Sequence, residues 1–205
     1  MERIENWETV EAKGMEDFKI LPIGAYECVI KDARINKNEE NGKETFKVSI
    51  DISNGEFKDY FQKRYDNSTL HPKKWDNNAV RYLAFQGDNA SYFKGFITCV
   101  ENSNTGYKWD WDESKLTGKK ICGVFQYEEY KKQDGSKAVK VRLNKFRSLD
   151  KMKEANENLN DSVKLLSGTY MSIDDYNERN ESKTNNSNPF EGLEDVIEIG
   201  ENFLD

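Results

Sequence analysis

With one histidine, three cysteines and three prolines among 205 residues, the chain is poor in the side chains that most often build metal sites and nucleophilic centres. The single histidine, His71, precedes Pro72 in a polar stretch, so neither a histidine-based zinc site nor a Ser-His-Asp arrangement can be assembled. Cys28, Cys99 and Cys122 are odd in number, far apart, and set in the apolar stretches YECVI, FITCV and KICGV. That is the pattern of free buried thiols rather than of disulfides or ligands. No apolar run approaches the roughly 18 residues of a membrane span. The opening MERIENWETVEAKG holds no apolar signal core, which points to the cytoplasm. No glycine-rich phosphate cradle occurs. Asp110, Asp112 and Glu113 could be drawn as Mg²⁺ ligands, but no motif places a second carboxylate group or a catalytic lysine around them. The expectation is a protein with no catalytic residue, no metal and no cofactor.

What the chain does have is rings and charges, unevenly placed. Aromatic residues make up 12% of it, ample core material when each buried ring removes on the order of 150–250 Å² from water. Residues 1–150 carry 26 Lys+Arg against 25 Asp+Glu, whereas residues 151–205 carry 5 against 13. Residues 1–17 set six acids against Arg3 and Lys13 and read as an acidic arm. From Pro189 to Asp205 there are six acids, no base, and the apolar positions Phe190, Leu193, Val196, Ile197, Ile199, Phe203 and Leu204. The polar run Asn177–Asn188 contains nothing that could build a core. The chain thus divides into an arm over 1–17, a folded domain over 18–151, a docking or partly ordered extension over 152–176, and a flexible linker with an acidic tip over 177–205. Such a division suits a body that holds one ligand and a tip offered to a second partner.

Within the body, residues 24–36 (GAYECVIKDARIN) alternate loosely and read as a first strand. Residues 44–53 alternate cleanly, with Phe46, Val48, Ile50 and Ile52 on one face. Asn54-Gly55 is a strong hairpin signal, so residues 56–65 are expected to return as a third strand, pairing Ile52 with Phe57 and Val48 with Phe61. Residues 79–101 read as helix interrupted at Gln86-Gly87, with Phe93, Phe96, Ile97 and Val100 at helical spacing. Tyr107, Trp109 and Trp111 alternate with polar residues in an extended segment. Residues 119–132 and 137–146 form a second hairpin around Asp134-Gly135. A two-residue turn there sets Phe125 and Tyr127 beside Lys140 and Arg142; a three-residue turn sets them beside Val141 and Leu143. The fold class expected is mainly β: a five-stranded OB-fold barrel with a helical insertion between strands 3 and 4, plus a disordered acidic C-terminal tail.

Sequence-neutral binding of single strands needs cations along the phosphates and flat side chains for bases to stack on. Lys47, Lys58, Tyr60 and Arg64 would share the outward face of the first hairpin. Lys73, Lys74 and Trp75 place a ring beside two cations in a loop, and Trp109 is a further stacking candidate. Lys140, Arg142, Lys145 and Arg147 make a basic strand suited to phosphates.

Several motifs carry a family resemblance. Leu21-Pro22-Ile23-Gly24-Ala25-Tyr26 opens the first strand, and Leu116-Thr117-Gly118-Lys119-Lys120 enters a later one. Glu128-Glu129-Tyr130 then leads to a glycine-containing turn, and the return strand ends Phe146-Arg147-Ser148-Leu149-Asp150-Lys151. In order and spacing these resemble phage-encoded single-stranded-DNA-binding proteins of Gram-positive hosts, over residues 20–151 and most closely 116–151. The resemblance implies an OB-fold body that coats single-stranded DNA without catalysis during phage replication or recombination, in the cytoplasm of an infected bacterium. It also implies an acidic tail that recruits replication or recombination proteins through a terminal apolar tip, here Phe203, Leu204 and Asp205. The Pro-Phe ending typical of bacterial tails is absent; Pro189-Phe190 occurs earlier instead. Oligomers are compatible with this reading, and a membrane is not expected. The competing reading is a protein-only interaction module or a DNA-mimic inhibitor acting through an acidic surface.

Overall fold

A computed structural model describes residues 19–39 and 42–181, together with Thr9. The arm (Thr9 apart), residues 182–205, and with them Phe190, Phe203, Leu204 and Asp205, lie outside the described residues. The fold is mainly β. Strands β1 (Gly24–Lys37), β2 (Glu44–Ile52), β3 (Val80–Leu83), β4 (Lys120–Lys131) and β5 (Lys137–Arg147) are followed by two short ones, β6 (Ser162–Lys164) and β7 (Tyr170–Ser172). Four helices accompany them: α1 (Tyr60–Asn67), α2 (Ala90–Ser103), α3 (Met152–Glu157) and α4 (Ile173–Glu181).

The strands form one open, mixed sheet in the order β3-β2-β1-β4-β6-β7, with β5 on the other edge of β4. All pairings are antiparallel except β4 with β6. β3 and β5 approach each other but share no hydrogen-bonded ladder, so the expected barrel is not closed. β3 has only four residues, and Arg81 sits opposite Val48, on the sheet side that faces inward. A guanidinium there needs water, which favours an open seam.

The alternation of β2 behaves as read from the sequence: Phe46, Val48, Ile50 and Ile52 are buried, packed with Ile30, Ile121, Phe125, Leu143 and the α2 residues Phe93, Phe96, Ile97 and Val100. Gly123 lies at the centre of this packing. A Cβ on it would stand 2.8 Å from Ile50 Cδ1 and 3.1 Å from Cys28 Sγ, so only glycine lets β4 approach this closely. The second hairpin takes the three-residue turn, placing Tyr127 beside Val141 and Phe125 beside Leu143. The register then shifts between Val124–Lys145 and Phe125–Leu143, leaving Asn144 as the extra residue of a β-bulge. All three cysteines are free; burial pushes the Cys122 thiol up to about 11.

Two expected elements are corrected. Residues 56–65 are not a strand: a turn through Gly55 (φ 81°) leads into α1. Phe57, Phe61 and Tyr65 recur every fourth residue, a spacing that serves a helix as well as a strand. The helix is held by Asp51 of β2, whose buried carboxylate accepts from Phe61 N (3.0 Å) and Gln62 N (3.1 Å). The third strand is instead Val80–Leu83, within the stretch read as helix, and the helix proper starts at Ala90. Residues 152–181 are also built into the fold. Leu149, Met152, Ala155 and Leu159 cover Ala25, Cys122 and Val124, and Asn156 bonds Ala25 N and O. Val139, Val163, Leu165 and Tyr176 form a second small core, and α4 continues to Glu181, past the expected start of the linker.

Candidate nucleic-acid interface

Because α1 replaces the third strand, the outward face expected to carry Lys47, Lys58, Tyr60 and Arg64 together does not form. Lys47 remains on the outer face of β2, in cross-strand register with Arg34 of β1 and Tyr82 of β3. This basic-aromatic row has the chemistry anticipated, with different neighbours. Lys58 is exposed in the turn before α1. Tyr60 packs edge-on against Phe57 and Phe61, under the Arg64 guanidinium at 5.7 Å. Arg64 is committed to Asp76, Nε to Oδ2 at 3.0 Å, with both side chains largely buried.

The loop after α1 turns its ring inward. Trp75 is half-buried, donates Nε1–H to Ile50 O at 3.3 Å and rests against Tyr65. Lys73 donates to Asp66 O, while Lys74 is exposed. On β5, Arg142 pairs with Glu128 at 2.8 Å. Lys140 lies over the Tyr130 ring at 4.9 Å. Burial, then neighbouring Arg142, holds the Lys140 ammonium below its ordinary value, against the pull of Glu128 and Asp76. These cations are engaged within the protein.

Arg147 is placed differently. It is exposed at the end of β5 and lines a groove of about 710 Å³ whose other walls come from β3, α2 and the segment after α3. Arg81, Lys145 and Arg147 bring three cations to it, and none makes an ion pair among the described residues. Tyr92 of α2 and Tyr170 of β7 stand on its rim, 70% and 54% exposed, above a floor that includes Phe96. The polar lining includes Gln126, Asn144, Asn158 and Asn160. Unpaired cations, exposed rings and amides around an apolar floor can hold phosphates, bases and base edges at once. Of the residues singled out from sequence for DNA contact, Arg147 and Lys145 lie here. Both belonged to the same basic strand. Tyr92 was marked by standing off the Phe93–Phe96–Ile97–Val100 stripe of α2; Arg81 and Tyr170 carried no local signal.

The two tryptophan rings stay together, 6.2 Å apart and tilted, but differ in burial. Trp109 is half-buried against Phe93, and its backbone N–H donates to Glu101 at 3.0 Å. Trp111 is 81% exposed and adopts φ 69°, a left-handed conformation costly for a residue with a Cβ. Asp110 and Asp112, the candidate metal ligands, both face Lys115: Lys115 holds the Asp110 carboxyl below the usual range, and hydrogen bonds from Ser114, then Lys115, do the same for Asp112. Trp109→Ala is expected to cost about 2–4 kcal/mol. Trp111→Gly should change stability by less than about 1 kcal/mol, because relief of backbone strain offsets the added freedom of the unfolded chain. Urea denaturation of the two variants checks this; equal losses would mean that Trp111 is held by packing.

Among the described residues, no group of three or more His, Cys, Asp or Glu side chains is placed to hold a metal ion, and no helix is long and apolar enough to cross a membrane. No protein-family model matches the chain, and no curated protein matches it either.

Proposed function

We propose that the protein binds single-stranded DNA without catalysis, in the manner of an OB-fold protein, and coats it during phage replication or recombination. The observation that carries this reading is the groove, where Arg81, Lys145 and Arg147, without an ion pair among the described residues, stand beside two exposed tyrosines. The strand arrangement supports it. β3-β2-β1-β4-β5 is the order of an OB barrel with its β3–β5 seam left open, and α2 lies between β3 and β4 where that fold carries its helix. The Arg34–Lys47–Tyr82 row on the outer face of β1–β3 offers a second stretch of the same chemistry. A DNA mimic would need free acids on the body. Four acids of the body are tied to cations: Glu27 to Lys120, Glu128 to Arg142, Glu129 to Lys137, and Asp110 to Lys115. The acidic tip, with Phe190, Phe203, Leu204 and Asp205, is assigned in this proposal to recruiting replication or recombination proteins.

The test is a titration of labelled oligo-dT by anisotropy at several salt concentrations. Affinity should fall with salt at about −0.7 per phosphate neutralised, hence a slope near −2 from the three groove cations. Duplex of equal length should compete poorly. Tyr92→Ala and Tyr170→Ala should each weaken binding by about 1–3 kcal/mol through lost stacking. Equal affinity for duplex and single strand would reject the reading.

A further inference from the structure

The groove contains a feature that phosphate binding does not require. Asn144 is the bulged residue of β5, and the bulge directs its side chain across the strand pair to Gln126 of β4, where Nδ2 donates to Oε1. Gln126 is only 7% exposed, yet both amides line the groove. One hydrogen bond engages one carbonyl and one NH₂ of the pair. The Gln126 NH₂ and the Asn144 carbonyl remain, and neither amide makes another hydrogen bond among the described residues. Turning both amides end for end leaves the same surface, one donor beside one acceptor. Neither remaining group is cut off from solvent, so both stand open to a partner that enters the groove.

We propose that the Gln126–Asn144 pair receives the Watson–Crick edge of an unpaired base, an inference that rests on the single-strand reading above. Every base carries a donor next to an acceptor on that edge: N3–H and O4 in thymine, N4–H and N3 in cytosine, N6–H and N1 in adenine, N1–H and O6 in guanine. A fixed donor-acceptor pair can therefore take any of the four. In a duplex the same edge is covered by the complementary strand. The arrangement adds to stacking a second source of selectivity for single strands with little preference among sequences. Tyr92 and Tyr170 would hold the plane of the base, and Arg81 and Arg147 the flanking phosphates.

The experiment compares oligo-dT with an oligomer of the same length built from N3-methylthymidine, which keeps ring and backbone but has no N3–H to donate. The full-length parent should bind the methylated oligomer about tenfold more weakly, the discrimination of one bidentate base contact. In Asn144→Ala and in Gln126→Leu that ratio should collapse toward one. Equal binding of both oligomers by the parent would overturn the edge contact while leaving single-strand binding intact. Failure of the parent to bind either would overturn the reading on which it rests. The parent comparison needs no variant, so a variant that fails to fold does not remove the test.

Discussion

Replacing Asp51 with alanine is expected to destabilise the protein by about 2–4 kcal/mol, the largest loss from any single polar side chain of the body. Asp51 is 1% exposed on β2, and its carboxylate collects three backbone N–H groups: Ile52 at 2.9 Å, Phe61 at 3.0 Å and Gln62 at 3.1 Å. Asp59, at the sequence position of the helix cap, has φ 60° and makes no side-chain cap bond, so α1 depends on this reach from the sheet. Without the carboxylate, the Ile52 and Phe61 N–H groups are left buried and unpaired. Phe61 stacks on Phe125 at 5.6 Å, and loss of the first turn of α1 would loosen that contact as well. Part of the loss is offset, because removing a buried carboxylate also removes its desolvation cost.

That cost has a signature in pH. Burial raises the pKa of Asp51, more than the three N–H bonds lower it. The folded protein therefore holds this proton to higher pH than the unfolded chain does. The contribution to stability is largest below the ordinary aspartate value and declines as pH rises through the raised one. Asp51→Asn keeps an acceptor oxygen and does not titrate. Its deficit relative to the parent, read from urea midpoints across the acid range, should narrow as pH rises. A deficit that widens would mean that the ionised carboxylate is the favoured form in the fold.

The same segment shows where sequence reading succeeds and where it stops. Phe46, Val48, Ile50 and Ile52 were legible because alternation with period two has no competing explanation over nine residues. The Phe93–Phe96–Ile97–Val100 stripe was legible for the corresponding reason in a helix. Phe57, Phe61 and Tyr65 are spaced by four, which satisfies both periods, and the arbiter was a carboxylate contributed by another element. β3 has four residues, too few for a period to register. Trp109 and Trp111 keep their rings 6.2 Å apart, but φ 69° at Trp111 takes the chain out of the extended conformation there, which alternation alone could not foresee. The groove draws on positions 81, 92, 126, 144–147 and 170, which come together only once the β3–β5 seam is placed. Charge composition could indicate that cations were available. It could not distinguish Arg142, tied to Glu128, from Arg147, which makes no ion pair among the described residues.

That distinction sets the second expected result. Combined replacement of Arg81, Lys145 and Arg147 by alanine should lower the affinity for oligo-dT by several hundredfold at 50 mM salt. For single strands each phosphate contact contributes a slope of about −0.7 in log affinity against log salt, or roughly 0.9 log units between 1 M and 50 mM, and three contacts multiply to about 500-fold. The slope itself should flatten by about 2. Lys145 and Arg147 are exposed, Arg81 is half-buried, and none holds an ion pair among the described residues, so the thermal midpoint should move little. Arg64→Ala and Arg142→Ala should behave in the opposite way. Arg64→Ala strands the partly buried Asp76 carboxylate, and Arg142→Ala leaves Glu128 with Lys164 at 3.8 Å in place of its 2.8 Å partner; each lowers stability and leaves the salt slope unchanged. If the triple variant instead keeps the parent's slope while Arg64→Ala and Arg142→Ala flatten it, the strand runs along the α1 loop and the paired face of β5, and the ion pairs there open to receive phosphate. The two patterns differ in the slope and in the thermal midpoint together, so salt titrations and melting curves on these three variants separate a groove that binds DNA from cations that only hold the fold.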